Sequence, residues 1–168
     1  MKALRFRLKY ETRGFDEYIN IYDEKNKLSY YSVQVDYSRP KRLLYNKNQE
    51  RLTVIDFGTD DIEDLLEGYP IYVDGKKIGH FDDSCKMEST RDVEFAHVVG
   101  PEWCFIDKGE RLTFRDYVIE DEKGGTIMKM KRSGRDFVCD IAAQENVVLA
   151  LSLASVEFWR FITTTREY

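Results

Sequence analysis

Hydrophobic and polar positions alternate along most of this chain with the period of two that marks a half-buried strand. The first case sets Leu4, Phe6, Leu8 and Tyr10 against Arg5, Arg7 and Lys9. Three longer stretches read as strand, polar turn, strand. "YINIYDEKNKLSYYSVQV", Tyr18 to Val35, turns at Asp23 to Lys27. "YPIYVDGKKIGHF", Tyr69 to Phe81, turns at Asp74-Gly75, a pair that tolerates the positive φ of a tight hairpin. "DYVIEDEKGGTIMKMKR", Asp116 to Arg132, turns around Asp121 to Gly125 and sets Met128 and Met130 opposite Lys129 and Lys131. Two of these turns are written alike, Asp-Glu-Lys straight after a Tyr/Ile strand, which suggests a repeated hairpin unit.

Two segments follow the helical period instead. In "GTDDIEDLLEGYP", Thr59 or Asp60 suits an N-cap, acidic residues fill the first turn, and Gly68 and Pro70 supply the stop. A short surface helix is expected over about 59–67, with Ile62, Leu65 and Leu66 turned inward. The second runs through "ENVVLALSLASVEFW", about 144–161. From Val147 to Val156 its residues are apolar on every face, apart from Ser152 and Ser155, whose hydroxyls can return to the helix's own carbonyls. Such a helix is buried on all sides or lies in a membrane. A span needs roughly 20 apolar residues, and Glu157 and Arg160 end this run sooner. Burial inside the protein is expected. Many strands around one fully apolar helix predict a mainly β fold, a closed antiparallel barrel of about 10–12 strands enclosing the helix.

The 168 residues suit one domain, taken as 1–168. A net charge of -5 argues against broad attraction to nucleic acid or to an anionic membrane, though a local basic patch could still bind. The opening "MKALRFRLKY" lacks the apolar run of a signal peptide, so a cytoplasmic protein is expected, peripheral to a membrane at most. Cys85, Cys104 and Cys139 are odd in number and widely spaced, which predicts neither a disulfide framework nor a zinc site.

The order of these units resembles the tubby C-terminal-like superfamily, with its plant LURP-one-related, phospholipid-scramblase and small bacterial relatives. The hairpins quoted above, and the closing "FVCDIAAQENVVLALSLASVEFW" from Phe137 to Trp159, carry the resemblance, the last 45 residues most specifically. It implies a small bacterial protein with a strand barrel around a C-terminal hydrophobic helix. The chain departs from the family at "MKMKRSGRDF", where a Ser-Lys-Lys-Trp-like stretch is usual, and in a longer, more helical Arg39 to Gly68 segment.

Candidate chemistry is sparse. His80, Asp82, Asp83 and Cys85 are all metal-ligand types, but strand alternation sends them to two faces. Cys85, Cys104 or Cys139 with His97 could pair a nucleophile with a base, yet no motif surrounds any of them. Cys139 and Cys104, each among apolar neighbours, are expected in the core. Asp60-Asp61 and Asp82-Asp83 point apart on extended backbone, and no phosphate loop or nucleophile elbow occurs. No cofactor is expected. The best ligand-binding candidate is the basic set Lys129, Lys131, Arg132 and Arg135, which Lys76 and Lys77 of another turn would extend. Such a set suits phosphate or an anionic lipid head group, and some eukaryotic tubby-type domains bind phosphoinositides. The expected function is a non-enzymatic binding or adaptor domain whose outer barrel surface meets an anionic phospholipid or a protein partner. An enzyme with an unrecognised site, or a scramblase-like lipid-handling protein, is the alternative.

Overall fold

The structure, a computed structural model, describes residues 2–83, 87–88, 93–108 and 116–166. The strands in chain order are β1 (Leu4–Arg13), β2 (Asp16–Tyr22), β3 (Leu28–Val35), β4 (Lys41–Asn46), β5 (Arg51–Asp56), β6 (Tyr69–Val73), β7 (Lys76–Asp82), β8 (Met87–Glu88), β9 (Val93–Val99), β10 (Trp103–Asp107), β11 (Asp116–Glu120), β12 (Thr126–Ser133) and β13 (Asp136–Ile141). Helix α1 (Ile62–Glu67) lies between β5 and β6, and α2 (Val147–Arg166) follows a single 3-10 turn, Gln144–Asn146.

Every ladder is antiparallel, and twelve strands close on themselves. The short β8 is an appendage that pairs with β9 beyond the point where β7 leaves it. The first and last strands make one seam, Leu4 opposite Ile141 and Leu8 opposite Phe137. Closure removes the open edges that a flat sheet of these twelve strands would present. At the β7–β9 junction the two backbones come so close that a Cβ on Gly79 would collide with the Val99 carbonyl, so only glycine fits there.

Inside the ring Leu8, Ile19, Ile21, Leu44, Ile55, Ile71, Phe81, Val98, Phe105, Ile119, Met128, Met130, Phe137 and Ile141 are almost wholly buried. They surround Val147, Ala150, Leu151, Leu153, Ala154, Ser155 and Phe158 of α2, which are buried as completely. The two helix serines behave as expected. Ser152 donates to the Val148 carbonyl at 2.9 Å and Ser155 to that of Leu151 at 2.7 Å. With its proton committed, Ser152 accepts from Thr53 of β5 at 2.6 Å, a polar stitch between helix and wall. The helix runs to Arg166, past the expected end at 161. By length and composition it could cross a membrane, but its apolar faces are spent on the barrel.

The turns obey one local rule. Asp23 and Asp121 each accept, through one side-chain oxygen, from the backbone N–H two and four residues on. Asn46 does the same for Asn48 and Glu50, a third copy the written pattern conceals. Each turn places its fourth residue at positive φ: Asn26, Gln49 and Gly124. These are Asx turns, in which a short polar side chain stands in for the backbone. Asp74 and Gly75 both take positive φ in the predicted tight hairpin.

Helix α1 departs from expectation. It starts at Ile62 with Asp61 as N-cap, not Thr59 or Asp60. Ile62, Leu65 and Leu66, expected inward, are 74, 51 and 82% exposed, while Asp64 is buried. The reason lies in what the helix lands on. Under it, on the outer face of β7, stand Lys77 and His80, whose Nζ and Nε2 reach Asp64 Oδ1 at 2.7 and 2.8 Å. Glu67 Oε2 lies 3.1 Å from His80 Nδ1. A helix of under two turns buries little apolar area, so these charge-assisted contacts choose its down face.

Candidate functional site

The structure spreads the predicted basic set over the outer wall of β12 and the turn after it. Alternation along β12 puts Lys129 and Lys131 on the outer wall, exposed, as expected. That wall is already matched in charge. Arg5 of β1 holds Asp140 of β13 through two bonds, at 2.7 and 3.0 Å, and Arg7 donates to Asp136 at 3.1 Å. Arg5, Arg7, Lys131 and Arg132 line a groove of about 520 Å³ together with Asp23, Glu24 and Asp140. Arg132 turns away from the two lysines. Its Nε donates to the Gly134 carbonyl at 2.8 Å, and its guanidinium lies 4.8 Å from the Phe161 ring centre. Arg135 is exposed in the following turn. Lys76 and Lys77 do not join the set: three strands, β9 to β11, separate β7 from β12, and Lys77 is taken by Asp64.

The histidine and cysteine candidates separate too. His80 serves α1, Asp83 accepts from Arg160 of α2 at 2.6 Å, and Cys85 lies outside the described residues. Cys139 is in the core as expected, where burial pushes its thiol pKa up. Cys104 is not. Trp103 and Phe105 point into the barrel, so period two sends Cys104 to the half-exposed outer face. There it sits opposite His97, with Sγ 3.6 Å from Nδ1, and His97 Nε2 lies 2.8 Å from Glu102. The arrangement has the outline of a thiol triad but the wrong electrostatics. Burial, then Glu94 and further carboxylates, push the thiol up to about 11. An activated nucleophile needs the reverse, a cationic neighbour that favours thiolate.

A different region gathers exposed apolar surface. In an antiparallel ring successive connections alternate between the two ends. The β1–β2 turn, the β3–β4 loop, the α1 connection and the β12–β13 turn therefore share one rim, where α2 also emerges. They are neighbours in the ring, in the order β12–β13, β1–β2, β3–β4, α1. The exposed large apolar side chains among the described residues are Phe15, Val35, Tyr37, Ile62, Leu65 and Leu66, and all belong to this arc. Phe15 is wholly exposed and Tyr37 79% exposed. Arg13, Arg39, Arg132 and Arg135 stand on the same arc, with Arg39 donating to Asp60 at 3.2 Å.

No protein-family model, curated protein or solved structure matches the chain.

Sequence reading missed the rim because it scored strands and helices, and Phe15 and Tyr37 belong to neither core pattern. The signal was there: a large aromatic directly after Gly14, and another between Asp36 and Ser38, in segments whose other residues are polar. Below the rim Arg42 closes the mouth of the barrel. Its guanidinium is buried, lies 4.7 Å from the Trp159 ring centre and donates to Ser32 Oγ at 3.2 Å, leaving Nη2 without a partner. Burial pulls its pKa down to about 9.

Proposed function

We propose that the protein is a non-catalytic docking domain that meets an anionic phospholipid surface through the rim carrying Phe15, Tyr37 and α1. One observation carries this reading: among the described residues, the exposed large apolar side chains gather on neighbouring connections at one end of the barrel. Clustered apolar exposure marks interaction surfaces, whereas scattered exposure does not. Phe15 and Tyr37 project singly from loops, a shape suited to entering a fluid interface. Each one taken fully from water contributes about 1.5–3 kcal/mol. Arg13, Arg39 and Arg135 flank them, and guanidinium groups are suited to phosphate oxygens. The resemblance to tubby-type domains supports the same ligand class and a peripheral position on a membrane.

Carboxylates on the arc favour a second reading. Asp61 and Glu63 stand exposed on α1 and would oppose an anionic bilayer, so a protein surface with complementary cations is the competing occupant. Co-sedimentation with neutral and with anionic vesicles, at low and at physiological salt, separates the two. Salt-sensitive binding to anionic vesicles, lost in Phe15→Ser and in Ile62→Ser with Leu66→Ser, is the expected result. Absence of vesicle binding in every condition overturns the lipid reading.

A further inference from the structure

The outer face of β9 and β10 holds a second cluster that the docking reading does not use. Glu94 and His97 are three residues apart on one strand, and on a regular strand they would face opposite ways. They do not, because the β9–β10 ladder slips: Phe105 pairs with Ala96 but Ile106 with Glu94, so Phe95 is the extra residue of a bulge. Phe95 packs inward on Phe105, with ring centres 4.6 Å apart, and the bulge brings Glu94 round to the face of His97 and Cys104.

The three side chains converge on one point. His97 Nδ1 lies 3.4 Å from Glu94 Oε1 and 3.6 Å from Cys104 Sγ, and one ligand atom from each lies within 4.8 Å of the others. Zn–S and Zn–N bonds of about 2.3 and 2.1 Å at a tetrahedral angle put their ligand atoms about 3.6 Å apart. The face is already at zinc-site dimensions. The second shell is built as well. Glu102 Oε2 lies 2.8 Å from His97 Nε2, and its other oxygen accepts from the Gly100 N–H at 3.1 Å. With Glu102 accepting at Nε2, a metal-bound imidazole would keep its proton there and turn the Nδ1 lone pair to the ion. That is the carboxylate–histidine arrangement that orients metal-bound imidazoles. Glu120, opposite Cys104 across the next ladder, is engaged by Lys108 at 3.1 Å and stays out of the cluster.

We propose that Glu94, His97 and Cys104 bind one Zn2+ ion on the outer wall of the barrel, with water in the fourth position. Binding forms a Zn–S bond and breaks the Cys104 S–H bond, and the proton leaves to solvent. One thiolate and one carboxylate then balance the two positive charges of the ion. Sulfur and imidazole in the set select zinc over magnesium or calcium. The bulge at Phe95, which a regular ladder would not need, is what assembles the site.

The test is titration of the reduced, metal-free protein with Co2+, followed by displacement with Zn2+. The expected result is one equivalent bound, a near-ultraviolet thiolate-to-cobalt band with intense visible tetrahedral bands, release of about one proton, and bleaching by Zn2+. Cys104→Ser removes the charge-transfer band, whereas Cys85→Ser keeps it. Glu102→Gln retains the spectrum but weakens binding by about 10–100-fold. An unchanged melting temperature in Cys104→Ser without metal shows that the variant is folded, and His97→Gln is the second probe if it is not. A wild-type protein with no cobalt band at millimolar metal, or a band that survives Cys104→Ser, overturns the assignment.

Discussion

Arg42 shows how one residue can oppose the fold that holds it. Its guanidinium is buried with one amino group unpartnered, so the native state carries a desolvation cost that Ser32 and Trp159 only partly offset. The pH dependence follows from the direction of the shift. A base whose pKa falls from its ordinary value to about 9 in the folded state destabilises that state while it is charged in both states, below pH 9. Stability should therefore rise between about pH 9 and 12 on this group's account, until other groups titrate. Replacing a buried charge with an apolar isostere is often neutral or stabilising by about 1–4 kcal/mol. Arg42→Met is expected to keep or raise the melting temperature; a large fall would mean that the Ser32 and Trp159 contacts outweigh desolvation. Asp64 works the other way. Hydrogen bonds from Lys77 and then His80 hold its carboxyl below the usual carboxylate range. Its contribution is fully present above its unfolded pKa of 3.8 and is lost as pH falls through its lower folded value. Asp64→Ala should release α1 at neutral pH, read as faster amide exchange in Ile62–Glu67 with the strands unchanged.

The two helices divide the work of the chain in opposite ways. From Ala150 to Val156 every residue of α2 is buried, so this stretch has no side on which a charge could reach water. Leu151→Asp is expected to unfold the protein, because an unpaired carboxylate there costs several kcal/mol. Leu151→Ala, which only leaves a cavity, should cost about 2–5 kcal/mol and leave a folded protein with a lower midpoint in urea. A folded, stable Leu151→Asp protein would contradict the enclosed helix. Helix α1 spends its polar side on β7 and leaves its apolar side to solvent. Leu66→Ser should therefore leave the unfolding free energy within about 0.5 kcal/mol of wild type, as surface changes do, read from the midpoint in urea.

At the scale of the molecule, the barrel separates stability from recognition. The wall and α2 form a single core, while the rim loops answer to backbone constraints only at their turns. The two candidate lipid surfaces can be told apart on this basis. Lys129→Glu with Lys131→Glu changes an outer wall already matched by Asp136 and Asp140, and vesicle binding through the rim should survive it. Phe15→Ser should abolish the same binding with no loss of stability. If the lysine pair abolishes binding and Phe15→Ser does not, the outer wall is the docking face.

Local periodicity determined much of this protein on its own. Alternation along β1 and β12, the Asp-led turns and the all-round apolar α2 depend on neighbours a few residues apart, so they can be read from order alone. The barrel itself followed, because a helix apolar on every face has few places to go. What the tertiary structure decided is everything that needed two distant segments to meet. Asp64 outcompeted Leu65 for the inward side of α1 because β7 presented Lys77 and His80 there. Arg132 left Lys131 for the end of α2. Glu94 joined His97 and Cys104 only through a one-residue slip between β9 and β10. A period of two says which side of a strand a residue takes; register, bulges and closure say what waits for it there.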